Sequence, residues 1–249
     1  MLTPMHQNLC PLRARPPAFT PHEVAGLKLW HKADSLAGLS DGDPVSTWAD
    51  ASGGGNDATG SGASRPSYRA NVLAGGPVLR FDGADDRLAL PNLLAGASAA
   101  TAFFVCKVAL DPPALPLRTG PPLGNFGSNG VVGDHYPYTD GVVYHDFGST
   151  ARKTVGDPAA SLASWHVGVF RSAAGDWRAW LNGSLLFSTS TNTAGFGTAP
   201  LVGRAEGTNG PYQFDGDLAE IVLYDAALSD DERKRVERYL GGKYGIAVA

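Results

Sequence analysis

Glutamate is scarce in this chain, occurring only at positions 23, 206, 220, 232 and 237. Cleaving a glycosidic bond takes two carboxyl groups aimed at one bond, one as acid and the other as base or nucleophile. On a strand that demands period-two spacing, as in a Glu-x-Asp-x-Glu run. None of the five Glu residues belongs to such a run, and although Asp215 and Asp217 share a face, Glu220 falls on the other. Nucleophilic catalysis is equally unsupported: no Gly-x-Ser-x-Gly elbow is present, and the six His residues lie in no Ser or Cys context that would make one of them a base. These patterns predict a protein that is not an enzyme.

Two other patterns point to binding. The turns Asp41-Gly-Asp43 and Asp82-Gly-Ala-Asp-Asp86 hold carboxylates at spacings that suit calcium, a hard cation that takes carboxylate and carbonyl oxygens. Asp82, Asp85 and Asp86 are the candidate metal ligands; the same Asp-Gly pairs are what a tight turn uses, and no other cofactor is implied. Neither a His-Glu-x-x-His motif nor an EF-hand loop occurs. The segment 133–154 concentrates His135, Tyr136, Tyr138, Asp140, Tyr144 and His145 among turn residues. Such rings stack on the apolar face of a sugar while neighbouring acids bond its hydroxyls, so these six are the candidate ligand-binding residues. The alternative is that alternate rings fill a core while the others cover its rim.

The glycine runs Gly53-Gly-Gly55 and Gly60-Ser-Gly62 lack a following Gly-Lys-Ser/Thr and a helix, so they do not read as phosphate loops. With 20 Lys and Arg against 24 Asp and Glu, a formal charge of -4 and no basic block, a nucleic-acid partner is not expected. No apolar run approaches the roughly 20 residues of a membrane-spanning helix, which argues against membrane insertion. Cys10 and Cys106 do not form a disulfide framework, and Cys106 sits inside the apolar run Phe103–Leu110 as a small core residue. Residues 1–17 have no apolar centre of a secretory signal.

Positioning falls to β elements. β-prone runs alternate with turn clusters at 27–31, 45–50, 78–81, 87–90, 101–110, 141–147, 165–171, 177–181, 185–189 and 217–224, a count that predicts an all-β fold of two packed antiparallel sheets. Alternation puts Trp177, Ala179 and Leu181 on one face and Arg178 and Trp180 on the other, with Asn182-Gly183 as a two-residue hairpin. The last strand places Ala219, Ile221 and Leu223 toward the core, with Glu220 and Tyr224 opposite. Ser229-Asp-Asp-Glu232 reads as a capping box opening one short C-terminal helix that Gly241 stops. Residues 1–20, rich in Pro and Arg, read as an extended arm, and 21–249 as one domain. Too apolar-poor to order itself, the arm is expected to be ordered by another chain, in a symmetric homo-oligomer.

The stretches Gly26–Ser35, Trp48–Ala58, 133–154, Trp165–Arg171, Trp177–Gly183, Thr189–Ala194 and the C-terminal Gly216–Ile246 together resemble the concanavalin-A-like, laminin-G-like jelly rolls found on phage particles and bacterial surfaces. The resemblance covers about residues 19 to 246. It implies a jelly-roll sandwich and a non-enzymatic virion component, in a tail fibre, tail tip or capsid decoration, with the arm holding other virion proteins and the sandwich binding a carbohydrate or receptor. A purely structural assembly protein is the alternative, and a glycoside hydrolase a more distant one. It also implies a virion or extracellular location. No catalytic residue carries over.

Overall fold

The computed structural model describes residues 19–114, 120–128, 133–207 and 211–249. Most of the proposed arm lies outside the described residues. One antiparallel sheet of eight strands dominates, running in space Ser184–Thr189, Asp176–Leu181, His166–Ala173, Ala99–Val108, Asp215–Tyr224, Gly76–Asp82 and Ser67–Leu73. The eighth strand, Leu27–Lys32, lies along the second half of Asp215–Tyr224, on the edge whose first half Gly76–Asp82 occupies. The facing sheet has five strands of two residues each: Thr47–Trp48, Ala58–Thr59, Leu88–Ala89, Leu201–Val202 and Leu123–Gly124. The second layer is therefore mostly loop. Together they make the expected jelly-roll-like sandwich, closed by the helix Asp230–Tyr244.

Between the sheets lies a core of Trp48, Leu88, Leu123 and Val202 from the small sheet and Phe81, Phe104, Phe170, Trp177, Ile221 and Leu223 from the large one. The large sheet is also covered on its back. There Phe103, Val105, Val167, Val169, Trp180 and Val222 meet Val236, Leu240 and Tyr244 of the helix. This explains why Ala99–Val108 reads as a continuous apolar run: both faces of that strand are inside. Trp177, Ala179 and Leu181 face the inter-sheet core and Trp180 the helix, as alternation requires.

Two local expectations are corrected. The register shifts between Leu218 and Glu220, so Ala219 joins Val222 and Tyr224 on the helix side rather than Ile221 and Leu223. A bulge adds one residue and turns the following side chains over. The helix also continues past Gly241 to Tyr244 and ends at Gly245, whose φ of 68° is left-handed. Gly241 stays inside because the chain returns over it: a Cβ there would lie 2.7 Å from the Ile246 carbonyl oxygen. The start of the helix is as read, with Ser229 Oγ accepting from Glu232 N at 3.3 Å and the Glu232 carboxylate accepting from Ser229 N at 2.9 Å.

A buried carboxylate ties the helix to the sheet. Glu220, fully buried, accepts from Trp30 Nε1 at 2.6 Å, Lys243 Nζ at 2.6 Å and Tyr244 Oη at 2.7 Å. Farther along, Arg233 pairs with Glu237, both buried, while its guanidinium lies over the Trp180 ring.

Interior histidines make the fold sensitive to acid. His166 Nδ1 donates to the Ser164 carbonyl at 2.8 Å, which leaves Nε2 to accept from Tyr136 Oη at 2.8 Å. His31 stacks on Trp48, with Nε2 3.1 Å from the Asn56 carbonyl oxygen. Burial lowers the pKa of each to about 4. An unfolded histidine takes its proton near 6.5, so each contributes stability that is present above that pH and lost as pH falls through 4. Asp86, raised to about 6 mainly by burial, works in the opposite direction. Each histidine is worth roughly 3 kcal/mol across this interval. Urea unfolding of the wild type and His166→Gln at pH 7.5 and 4.5 isolates one of them: the acid-induced loss should be smaller in the variant, and equal losses would refute the assignment.

Candidate functional site

The aromatic segment folds as a hairpin on the loop-rich side of the sandwich. His135 and Tyr144 exchange backbone hydrogen bonds of 2.8 and 3.0 Å, and Val143–His145 pairs onward with Lys153–Gly156. The turn closes through Tyr138 N to the Val142 carbonyl at 2.9 Å, and Gly141 supplies a φ of 83° there. Alternation then divides the six candidate residues.

Four of them come together. The His135 ring centroid is 4.7 Å from Tyr138 and 6.3 Å from Tyr144, and the two tyrosines lie 6.1 Å apart at a steep angle. Tyr138 and Tyr144 are half-buried and Asp140 is exposed. Tyr144 Oη donates to Asp140 Oδ2 at 3.0 Å, and the carboxylate raises the pKa of that hydroxyl. Asp140 Oδ1 accepts from Val142 N at 2.9 Å, which fixes the carboxylate at the rim. Two residues the sequence reading missed complete the patch. Arg152 lies 4.8 Å above the Tyr144 ring and donates to the Gly133 carbonyl at 2.7 Å, and Tyr212 packs 4.5 Å from His135. Arg152 lies eight residues beyond Tyr144, just before the strand Lys153–Gly156, and Tyr212 is some seventy residues away, so no local spacing marks either.

The other two are core residues, and His135 is itself buried beneath the two tyrosines rather than open to a ligand. Tyr136 is buried, bonded to His166 and set edge-on against Phe104 at 5.5 Å. His145 is buried 4.2 Å from the Phe170 ring, and burial lowers its pKa to about 3. Their assignment as ligand contacts is therefore corrected: on a pleated strand neighbours of surface rings point inward.

The acidic turns do what turns need. Asp86 accepts from Asp82 N at 3.0 Å and Asp82 Oδ1 from Ala84 N at 2.8 Å, while Asp43 accepts from Ser40 N at 2.7 Å. The carboxylates of Asp82, Asp85 and Asp86 also converge, the first two in solvent. In the glycine-rich loop, Asp50 accepts from Trp30 N, Ser52 N, Ser52 Oγ and Asn56 N at 2.7–3.0 Å, and these bonds lower its pKa. That loop is an internal brace. A separate open groove of about 620 Å³ is lined by Gly175, Asp176, Arg178 and Ser188–Ser190. It carries no aromatic ring, and its Asp176 is taken up by Arg171 at 2.8 Å and Arg178 at 2.7 Å.

No family model matches the chain, and no curated protein matches it. Solved structures do. Domain 4 of AbnA, an extracellular arabinanase of Geobacillus stearothermophilus solved with arabinotriose, superposes with a TM-score of 0.58 at 16% identity, covering 83% of this chain and 96% of that domain. Trypanosoma rangeli sialidase with sialic acid gives 0.60 at 18%, covering 91% of this chain and 34% of the sialidase. A botulinum neurotoxin type C structure, described as entering cells through two ganglioside molecules, gives 0.59 at 9%, covering 86% and 51%. The chain shares their β-sandwich fold. It spans about a third of the sialidase and half of the toxin fragment, and nearly all of the arabinanase domain.

These neighbours correct the expectation of a phage virion component. The jelly-roll character of the motifs stands, but the neighbours named above are structures of an arabinanase, a sialidase and a neurotoxin, and they give a phage origin no support. The motifs behind the resemblance are turn formers and core rings, which report the fold and not the particle that carries it.

Proposed function

We propose that this chain is a carbohydrate-recognition β-sandwich that binds its glycan at the Tyr138–Tyr144 rim and does not cleave it. The observation that carries this reading is the rim itself: two partly exposed tyrosines flanked by a fixed carboxylate, Asp140, and a guanidinium, Arg152. Sugar rings have apolar C–H faces that lie on aromatic rings, while their hydroxyls take charge-assisted hydrogen bonds. Binding by the arabinanase domain and the ganglioside-dependent toxin is consistent with such a use of the fold. The absence of turnover rests on the carboxylates: Glu220 is committed to the helix, and the close pair Asp134 and Asp146 is buried.

Glycan-array binding followed by affinity electrophoresis tests it. Tyr144→Ala is expected to weaken binding about tenfold or more, since a stacked ring is worth roughly 1–2 kcal/mol and 1.4 kcal/mol is a factor of ten. Its unfolding midpoint should stay close to that of the wild type, whereas Tyr136→Ala should lower the midpoint. Unchanged binding in both Tyr138→Ala and Tyr144→Ala would refute the site, and release of reducing ends from a bound polysaccharide would refute binding without cleavage.

A further inference from the structure

We infer, on the reading of the Tyr138–Tyr144 rim as the glycan site, that it selects an acidic glycan, with the carboxylate of a uronate- or sialate-type sugar seated on Arg152. Arg152 is partly exposed and donates from Nη1 to the Gly133 carbonyl at 2.7 Å, with its guanidinium 4.8 Å from the Tyr144 ring centroid. Its Nε and Nη2 groups have no partner among the described residues, and no carboxylate there lies within the 4.0 Å of an ion pair. A guanidinium is a planar fork that can bind both oxygens of a carboxylate at once, so the free edge of Arg152 suits such a group.

The rest of the rim is arranged the same way. Thr154 stands opposite Tyr144 in the paired strands, on the same face, and is exposed. Tyr138 is half-buried, and its hydroxyl makes no hydrogen bond among the described residues. Asp140 is the exception, and its carboxylate already accepts from Tyr144 Oη at 3.0 Å and Val142 N at 2.9 Å. The acids gather at the turn: beside Asp140, Asp157 packs on Gly141, where a Cβ would lie 2.9 Å from Asp157 Cγ. Arg152 precedes Asp157 by five residues, roughly 15 Å of extended chain. One end of the rim is therefore positive and donor-rich, and the other acidic. An acidic sugar has the matching polarity, with a carboxylate on one side of its ring and hydroxyls on the other.

The buried acids beneath the hairpin do not cancel the guanidinium. Burial and the Asp146 carboxylate drive the pKa of Asp134 well above the usual carboxylate range, and burial raises that of Asp146 too. Two carboxyl groups that hydrogen-bond each other must hold a proton between them, so the pair carries at most one charge. Both feel Arg152 from a distance, without an ion-pair contact to it.

The full chain is screened on a glycan array printed in matched pairs, each uronate or sialate oligosaccharide beside its methyl ester, with neutral and sulphated oligosaccharides alongside. Calorimetry then measures the affinities of the best pair. The acid is expected to bind at least tenfold more tightly than its ester, and the advantage should shrink as NaCl rises from about 0.05 to 0.5 M and screens the charges. Arg152→Gln should bring the acid down to the affinity of the ester and leave the ester unchanged. Arg152→Lys, which keeps the charge and loses the fork, should fall between, and Arg238→Gln, at an exposed helix position, should change neither. If the Arg152 variants do not fold, the comparison of acid with ester in the wild type decides. Equal binding of acid and ester, tighter binding of a sulphated oligosaccharide, hits confined to neutral sugars, or an Arg152→Gln variant that weakens acid and ester alike would each overturn the acidic class. Neutral hits that are lost in Tyr144→Ala would leave the rim standing as the site, whereas an array without hits would remove both.

Discussion

Trp177→Ala is expected to destabilise the protein by about 3–5 kcal/mol, the usual cost of removing a large buried aromatic side chain. Trp177 is fully buried between the sheets. Its indole packs 5.6 Å from Phe170 and 5.9 Å from Phe187, and Nε1 donates to the Phe147 carbonyl at 2.8 Å. Truncation leaves a cavity and also an unpartnered carbonyl, two losses that add. Trp177→Phe keeps most of the packing and should cost less. Leu185→Ala, at a side chain 53% exposed, should change stability by no more than about 0.5 kcal/mol. Urea unfolding of the three variants is the measurement, and a Trp177→Ala loss below about 1 kcal/mol would show that the inter-sheet core is not organised around this ring.

The second large effect is expected at Glu220. Its carboxylate receives three donors from two elements distant in sequence, Trp30 on a strand and Lys243 and Tyr244 on the helix. Removing one partner of a buried charged cluster costs roughly 3–5 kcal/mol, because the remaining groups are left desolvated and unpaired. Lys243 keeps Asp34 at 2.8 Å, so the lower end of that range applies to Glu220→Ala. The loss should be regional as well as global. Amide exchange in 230–244 should rise more than exchange in Ala99–Val108, which is held by neighbours on both sides. Equal protection of the helix in variant and wild type would show that apolar packing by Val236 and Leu240 suffices to dock it.

Local rules carried much of this protein. Period-two alternation placed Trp177 and Trp180 on opposite faces, the Asn182-Gly183 pair marked a hairpin with φ values of 50° and 81°, and Ser229 with Glu232 opened the helix. Each depends on residues within four positions of one another, which is the range over which backbone geometry is decided locally. The aromatic content of 133–154 was legible in the same way, as composition. Which of its rings face solvent was not.

That division was decided by what the hairpin packs against. Tyr136 and His145 turn inward because Phe104, His166 and Phe170 lie beneath them, and Tyr138 and Tyr144 stay out because nothing described covers them fully. Tyr212 reaches the rim from a distant part of the chain and Arg152 through the pairing of Lys153–Gly156 with Val143–His145, neither of which side-chain spacing encodes. The bulge after Leu218 likewise exists only in the pairing of Asp215–Tyr224 with Ala99–Val108. Sequence alone determined the fold class, the hairpin and the helix start, since these follow from short-range periodicity and capping. The tertiary structure decided which rings form a surface, which acids are buried together and which carboxylate holds the helix, because each depends on contacts between residues far apart in the chain.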